Sequence, residues 1–127
     1  GPLLAAAQRR AAEPTFTAID EEDRAVDVRL AELAARIAVR RHVRGRDLRR
    51  VRLVVGSGGV LRHIPGAGDR VLRAILTDHA GGWAPPESAQ IVVDSSYVLA
   101  PAGLLAAAHP AATVRLLTTL AAAAYRT

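Results

Sequence analysis

The sequence predicts an α/β fold, rich in helix and carrying two short parallel strands. Three observations lead there. Two short runs, 51–55 (Val-Arg-Leu-Val-Val) and 91–93 (Ile-Val-Val), have the length and β-branched content of strands. Between them Val71, Leu72, Ile75 and Leu76 recur at helical spacing. A strand, a helix and a second strand in that order imply a right-handed parallel crossover.

The elements follow in chain order. Residues 3–12 read as a short helix, closed at Glu13-Pro14 because the residue before a proline is held out of helical geometry. Asp20-Glu21-Glu22-Asp23 opens a longer helix, with carboxylates at the positive end of its dipole. Val26, Leu30, Leu33 and Ile37 follow at steps of four and three, which predicts one apolar stripe. Arg40, Arg41, His42 and Arg44 gather at the other end, and Gly45 is a natural stop. The run 51–55 reads as a buried strand emptying into Gly56, and 60–64 as a helix or turn. Residues 65–68 form a loop, 69–79 a helix, and 81–86 a second loop. The strand 91–93 ends at Asp94. Pro101 belongs in the first turn of a helix running through Ala108, since proline is tolerated there and not deeper. His109-Pro110 interrupts the chain, and 111–124 form a last helix with Leu117 and Leu120 inward. Residues 1–19 are thus an N-terminal helix and linker, and 20–127 one subdomain. Gly1-Pro2 fits either natural sequence or the remnant of a cleaved tag.

Two parallel strands alone leave unpaired edges, and parallel sheets normally hold more strands, covered on both faces. The sheet is therefore expected to be completed by residues outside this chain, or by another copy of it. On that argument the chain reads as a C-terminal fragment of a larger domain.

Composition narrows the chemistry. The 127 residues fit one small domain at most, and the apolar half of them is dominated by alanine, so the core is modest. There is no cysteine, which excludes disulfides and thiol catalysis. The net charge of +5 comes from arginine, because the chain has no lysine. A Walker-type phosphate loop and a Schiff-base site both need a lysine, so both are excluded within this chain. No signal peptide and no run long enough to span a bilayer is present, and a cytoplasmic setting is expected.

The main candidate site is the turn Gly56-Ser57-Gly58-Gly59, where a strand empties into glycines and then a helical segment. Glycines let a ligand approach the backbone, and successive amides there favour anions such as phosphate. Ligands in open α/β sheets also sit beyond the carboxyl ends of the strands. The competing reading is a tight strand–helix turn with no ligand. A dinucleotide fingerprint fits poorly, because its third glycine would fall at Leu61. Ser57 lacks the Gly-x-Ser-x-Gly frame of a nucleophile elbow, since Val55 precedes it at that position. Asp94 reads as a cap for the segment after it. His42, His63, His79 and His109 are scattered, without zinc-ligand spacing. The arginines from Arg36 to Arg52 read chiefly as solvated surface, with Glu32 and Arg36 spaced as a surface ion pair. A docking surface is the next reading. Nucleic acid is not expected, because nearby aromatics for base stacking are missing.

Taken together, three segments carry a resemblance. They are 54–63 (Val-Val-Gly-Ser-Gly-Gly-Val-Leu-Arg-His), 92–106 (Val-Val-Asp-Ser-Ser-Tyr-Val-Leu-Ala-Pro-Ala-Gly-Leu-Leu-Ala) and His109-Pro110, preceded by Ala38-Val39-Arg40-Arg41-His42. From about Asp20 onward the chain resembles the C-terminal end of the MutL/GlmL family. These are glutamate-mutase-associated proteins, unrelated to the mismatch-repair protein of the same name. The resemblance implies an actin-like (ribonuclease H-like) ATPase fold. It also implies a reactivating chaperone for an adenosylcobalamin-dependent mutase, exchanging damaged cofactor at the expense of ATP. Carried over by position, Gly56, Ser57, Gly58 and Gly59 would back the ribose and α-phosphate of ATP or ADP, with Val60 and Arg62 near the adenine. Magnesium would be held only through the phosphates, and this piece would not bind cobalamin directly. The family's phosphate motifs, with their metal-binding and water-activating carboxylates, have no match here. The chain alone is thus not expected to hydrolyse ATP, whereas the full protein would be a slow ATPase. The partners implied are the earlier part of the same protein and a mutase subunit. The small residues Ala100-Pro101-Ala102-Gly103 suit the last helices, and Gly103 is the position expected to permit close helix packing. The alternative is a non-catalytic interaction module with a purely structural glycine turn.

Overall fold

The computed structural model describes residues 1–43, 45–80 and 82–126. Arg44 in the cationic helix end and Gly81 in the second loop lie outside the described residues. The elements are α1 (Pro2–Ala12), α2 (Glu21–Val43), β1 (Leu53–Gly56), α3 (Gly59–His63), α4 (Ala67–Leu76), β2 (Gln90–Val93), α5 (Leu99–Leu105), α6 (Pro110–Ala122) and β3 (Tyr125–Arg126). The fold is α/β and helix-rich, with β1 and β2 parallel and in register from Leu53↔Gln90 to Gly56↔Val93.

A third strand was not expected: one edge of the sheet is completed from within the chain, so the two-strand argument for completion from outside does not hold at that edge. β3 pairs antiparallel with β2, through Gln90↔Arg126 and Ile91↔Tyr125, so the sheet order is β1-β2-β3. The alanine run before it favours helix and hides a strand of two residues. α6 nevertheless ends at Ala122, and Tyr125 joins the sheet with its hydroxyl donating to Asp69 Oδ1 at 3.0 Å. The expected burial of β1 is also corrected. β2 is the central strand, with Ile91 and Val92 buried, whereas β1 is an edge with Leu53 37% exposed. Among the described residues nothing pairs with the far edge of β1.

The helix α2 begins as predicted, with Asp20 Oδ1 accepting the Asp23 amide at 2.8 Å. Its buried face is a different one. Val28 and Glu32 are buried and Ala31, Ala35 and Val39 half-covered; of the predicted stripe Val26, Leu30 and Leu33 are also half-buried, while Ile37 is 47% exposed. The alanines let α4 come close, and Val26 instead faces a cleft against α1. Glu32 is tolerated inside because Arg29, Arg36 and Arg70 reach it at 2.7, 3.0 and 3.4 Å. The predicted Glu32–Arg36 pair exists, but the carboxylate is buried rather than at the surface. Arg40 similarly grips buried Asp78 with two bonds, of 2.7 and 2.6 Å, tying the end of α2 to the end of α4.

The core lies between α2, α4 and the sheet. One cluster joins Val28, Ala67 and Val71, and the other joins Leu72, Ile75 and Ile91. α4 can sit against β2 because Gly68 has no side chain, as a Cβ there would fall 2.3 Å from Val93 Cγ2. Gly103, the position expected to play that part, has open space around it. The close contact between α5 and α6 is made at its neighbour: Ala102 is buried and its carbonyl accepts the Thr113 hydroxyl at 3.2 Å. α5 is shorter than predicted, ending at Leu105, and Leu117 of α6 is 39% exposed while Leu120 is buried.

Candidate functional site

The glycine turn sits at the carboxyl ends of both parallel strands. Gly56 closes β1 and is pinned from behind, since a Cβ there would meet Leu61 Cδ2 at 2.6 Å and Leu72 at 3.2 Å. Gly58 has φ +135, a backbone conformation that side chains rarely adopt. Outward from Gly58 there is open space, and a Cβ at Gly59 would come only within 4.0 Å of His63. The turn is therefore packed on the sheet side and open on the other. The expected residues Gly56, Ser57, Gly58, Gly59, Val60 and Arg62 all lie on this turn and the helix that follows it.

Arg62 does not point freely into the open side. Its Nε donates to the Asp94 carbonyl at 2.6 Å, and its Nη2 donates to Ser57 Oγ at 2.7 Å. A weaker contact of 3.5 Å reaches Asp94 Oδ2, and the guanidinium lies 4.1 Å from the centroid of the Tyr97 ring. The Tyr97 hydroxyl is 3.0 Å from His63 Nε2. The turns after β1 and β2 are thereby joined into one polar unit.

Asp94 is the buried anchor of that unit. Its Oδ1 accepts the Val98 amide at 2.7 Å and its Oδ2 the Leu99 amide at 3.1 Å, the cap predicted for the following segment. Burial pushes its pKa up, but the two amides and Arg62 outweigh burial and hold the carboxyl below its ordinary value. Tyr97, next to this cap, holds φ +55, in the left-handed region that non-glycine residues seldom occupy.

A cavity of about 410 Å³ adjoins the turn. Gly59, Val60 and His63 form one side, and Phe16, Ala18 and Asp27 another. Sequence reasoning placed Tyr97 in the 92–106 match but gave it no role of its own, and it did not single out this second wall. No local motif marks Phe16, which is brought here by α1 folding back on α2. A larger cleft of about 630 Å³ lies between α1 and α2, away from the strand ends. Among the described residues, no group of three or more His, Asp or Glu side chains could hold a metal ion, and no helix is long and apolar enough to cross a membrane.

These features define an α/β protein whose open glycine turn lies beyond the carboxyl ends of parallel strands. A family model described as MutL protein matches residues 2–120. "Protein MutL" of Clostridium tetanomorphum is 32% identical over 114 residues, covering 76% of this chain and 24% of the relative. The chain belongs to the MutL family, the one its motifs resemble. It spans about a quarter of the length of that curated relative. No solved structure matches it.

Proposed function

We propose that this chain forms the adenosine side of the nucleotide site of an actin-like ATPase that reactivates an adenosylcobalamin-dependent mutase of the glutamate mutase type. The observation that carries the proposal is the glycine turn, packed behind at Gly56 and open at Gly58 and Gly59, at the carboxyl ends of β1 and β2. Membership of the MutL family is consistent with the mutase association that the resemblance implies. In this reading the turn backs the ribose and α-phosphate of ATP or ADP, while magnesium is reached only through the phosphates. The residues that hold those phosphates belong to the rest of the protein, which also extends the sheet at the free edge of β1. The chain by itself does not hydrolyse ATP and does not bind cobalamin.

Titration of ATP and ADP into the full-length protein tests this. Gly58→Asp and Gly59→Asp place a carboxylate in the open side of the turn and are expected to abolish binding. Unchanged affinity in both variants rejects the assignment.

One observation favours a second reading, a non-catalytic interaction module. Arg62, Ser57 and Asp94 satisfy one another's polar groups, as a purely structural turn requires. That reading predicts no nucleotide affinity in the wild type.

A further inference from the structure

β1 ends the sheet without the devices that usually close an edge. The Arg52 carbonyl accepts the Gln90 amide at 2.8 Å and the Gly56 carbonyl accepts the Asp94 amide at 2.9 Å, so both face β2. Alternate residues of a strand turn their main-chain groups the same way, and Leu53 and Val55 therefore present theirs to the open edge. Nothing among the described residues pairs there. The strand Leu53–Gly56 carries no charge and no proline, the features that keep an edge unpaired.

Apolar hollows flank this edge on both faces of the sheet. Val54 packs against the cluster on the α4 face, while its neighbours Leu53 and Val55 turn to the other. The hollow on the first face, of about 440 Å³, includes Val39, Leu48, Val51 and Ile75, and His42 is its one polar side chain. The hollow on the second, of about 400 Å³, includes Leu99, Val114, Leu117 and Leu120, with only Thr118 polar. Leu53 and Val55 border both. The α6 wall is uncovered, since Val114 is 62% exposed.

The residues leading into β1 are cationic. Arg41, Arg46, Arg50 and Arg52 are exposed and enter no ion pair among the described residues. Asp47 is the one carboxylate between Glu32 and Asp69, and Arg49 holds it at 2.6 Å. Glu87 adds an exposed carboxylate whose charge also acts on Arg49.

These features specify an occupant. Bonding to Leu53 and Val55 requires extended backbone. Filling hollows on opposite faces requires apolar side chains at alternate positions, which a helix does not supply. The unpaired arginines call for a carboxylate at the Arg50–Arg52 end. A second copy's β1 would bring the same arginines with it. The chain covers 24% of its curated relative, which leaves the greater part of such a protein to supply the strand.

We infer that the free edge of β1 receives one extended segment from elsewhere in the same protein, with apolar side chains at alternate positions and an aspartate or glutamate beside Arg50 and Arg52. This gives a chemistry to the sheet extension in the reading above, and it does not require the glycine turn to bind nucleotide.

The test puts the photo-crosslinker p-benzoylphenylalanine in place of Leu53 in the full-length protein, followed by digestion and mass spectrometry. Leu104, 86% exposed on α5, is the control position. The expected product from Leu53 is a link within one polypeptide to a single alternating apolar segment that ends in a carboxylate, and the control lacks it. A link to a second copy or to another protein, a link to a segment without that pattern, or no link at all overturns the inference. Arg50→Glu combined with Arg52→Glu, both at exposed positions, reads the charge. At a urea concentration within the transition, the unfolded fraction should rise about threefold or more, and reversing the linked carboxylate to lysine should restore it. No rise, or no recovery, overturns the charge pairing. A wild type that fails to bind ADP counts against the nucleotide reading alone.

Discussion

Arg62 on α3 donates to the main-chain carbonyl of Asp94 at 2.6 Å, joining the two turns that follow the parallel strands. The same guanidinium reaches Ser57, so one side chain fixes the glycine turn against the end of the neighbouring strand. Only 13% of the Arg62 side chain is exposed, and Asp94 beneath it is almost fully buried. Removing Arg62 would leave that carboxylate with its two amide donors but no counter-charge. Arg62→Ala is expected to destabilise the fold by about 2 kcal/mol. Arg62→Lys recovers less than half of this, since an ammonium cannot bond both Ser57 and Asp94 through a planar fork. Urea denaturation of the two variants reads the difference directly.

Acid should weaken the fold through two carboxylates. The Arg40 guanidinium holds Asp78 below its ordinary pKa, and at Asp94 the amides and Arg62 do so against burial. A lowered folded-state pKa means the unfolded chain binds protons more readily, so stability falls as pH drops. The contribution is fully present above the unfolded value of about 3.9 and is lost as pH falls through the lowered folded values. Unfolding midpoints of the wild type should stay nearly level from pH 7 to about pH 5 and fall once the pH is taken below about 4. The slope should be shallower in Asp78→Asn and Asp94→Asn.

Two glycines should respond to alanine in opposite directions. At Gly68 the new methyl would collide with Val93 Cγ2 at 2.3 Å and press on the Leu61 carbonyl at 3.3 Å. Gly68→Ala is expected to cost about 1–3 kcal/mol, as overpacking usually does. At Gly103 nothing lies within 4 Å, and the residue sits inside α5. Gly103→Ala should stabilise by about 0.5–1 kcal/mol through helix propensity. Thermal melts that shift down for the first and up for the second would verify the packing described for α4 and α5.

Glu32 offers a separate check on α2. Its buried carboxylate is matched by three arginines, of which Arg36 is the most covered, so truncation leaves Arg36 short of its partner and opens a void. Glu32→Ala is expected to cost about 2–4 kcal/mol, and Glu32→Met distinctly less, because an apolar side chain of similar volume refills the space. Equal losses in chemical denaturation would mean that the ion pairs, not the filled volume, dominate.

Much of the architecture was legible because it rests on local signals. The β-branched runs, the glycine turn between them, the Asp94 cap and the carboxylates opening α2 each act within a few residues of where they stand in the chain. What was hidden depends on distant partners. The face that α2 buries is chosen by α4, and alanines on that face carry too weak an apolar signal to outvote Leu30, Leu33 and Ile37. β3 is two residues long and exists because β2 has a free edge for Tyr125. The packing glycine is Gly68 rather than Gly103, since only the fold brings Val93 against α4. At the candidate site the glycines were readable, but the arm of Arg62 onto Asp94 spans 32 positions and the Phe16 wall belongs to a segment with no motif at all.

Among the described residues every ion pair is built on a guanidinium. Arginine keeps its proton far beyond the range where lysine would surrender one. The cationic half of each pair therefore stays charged in strongly alkaline solution, where Tyr125 titrates above its ordinary value because burial and Asp69 oppose its ionisation. The response of these pairs to pH is lopsided as a result: acid attacks the carboxylates, while base finds no cation among them to discharge. Above neutrality, added salt rather than added hydroxide is the agent that should loosen these pairs.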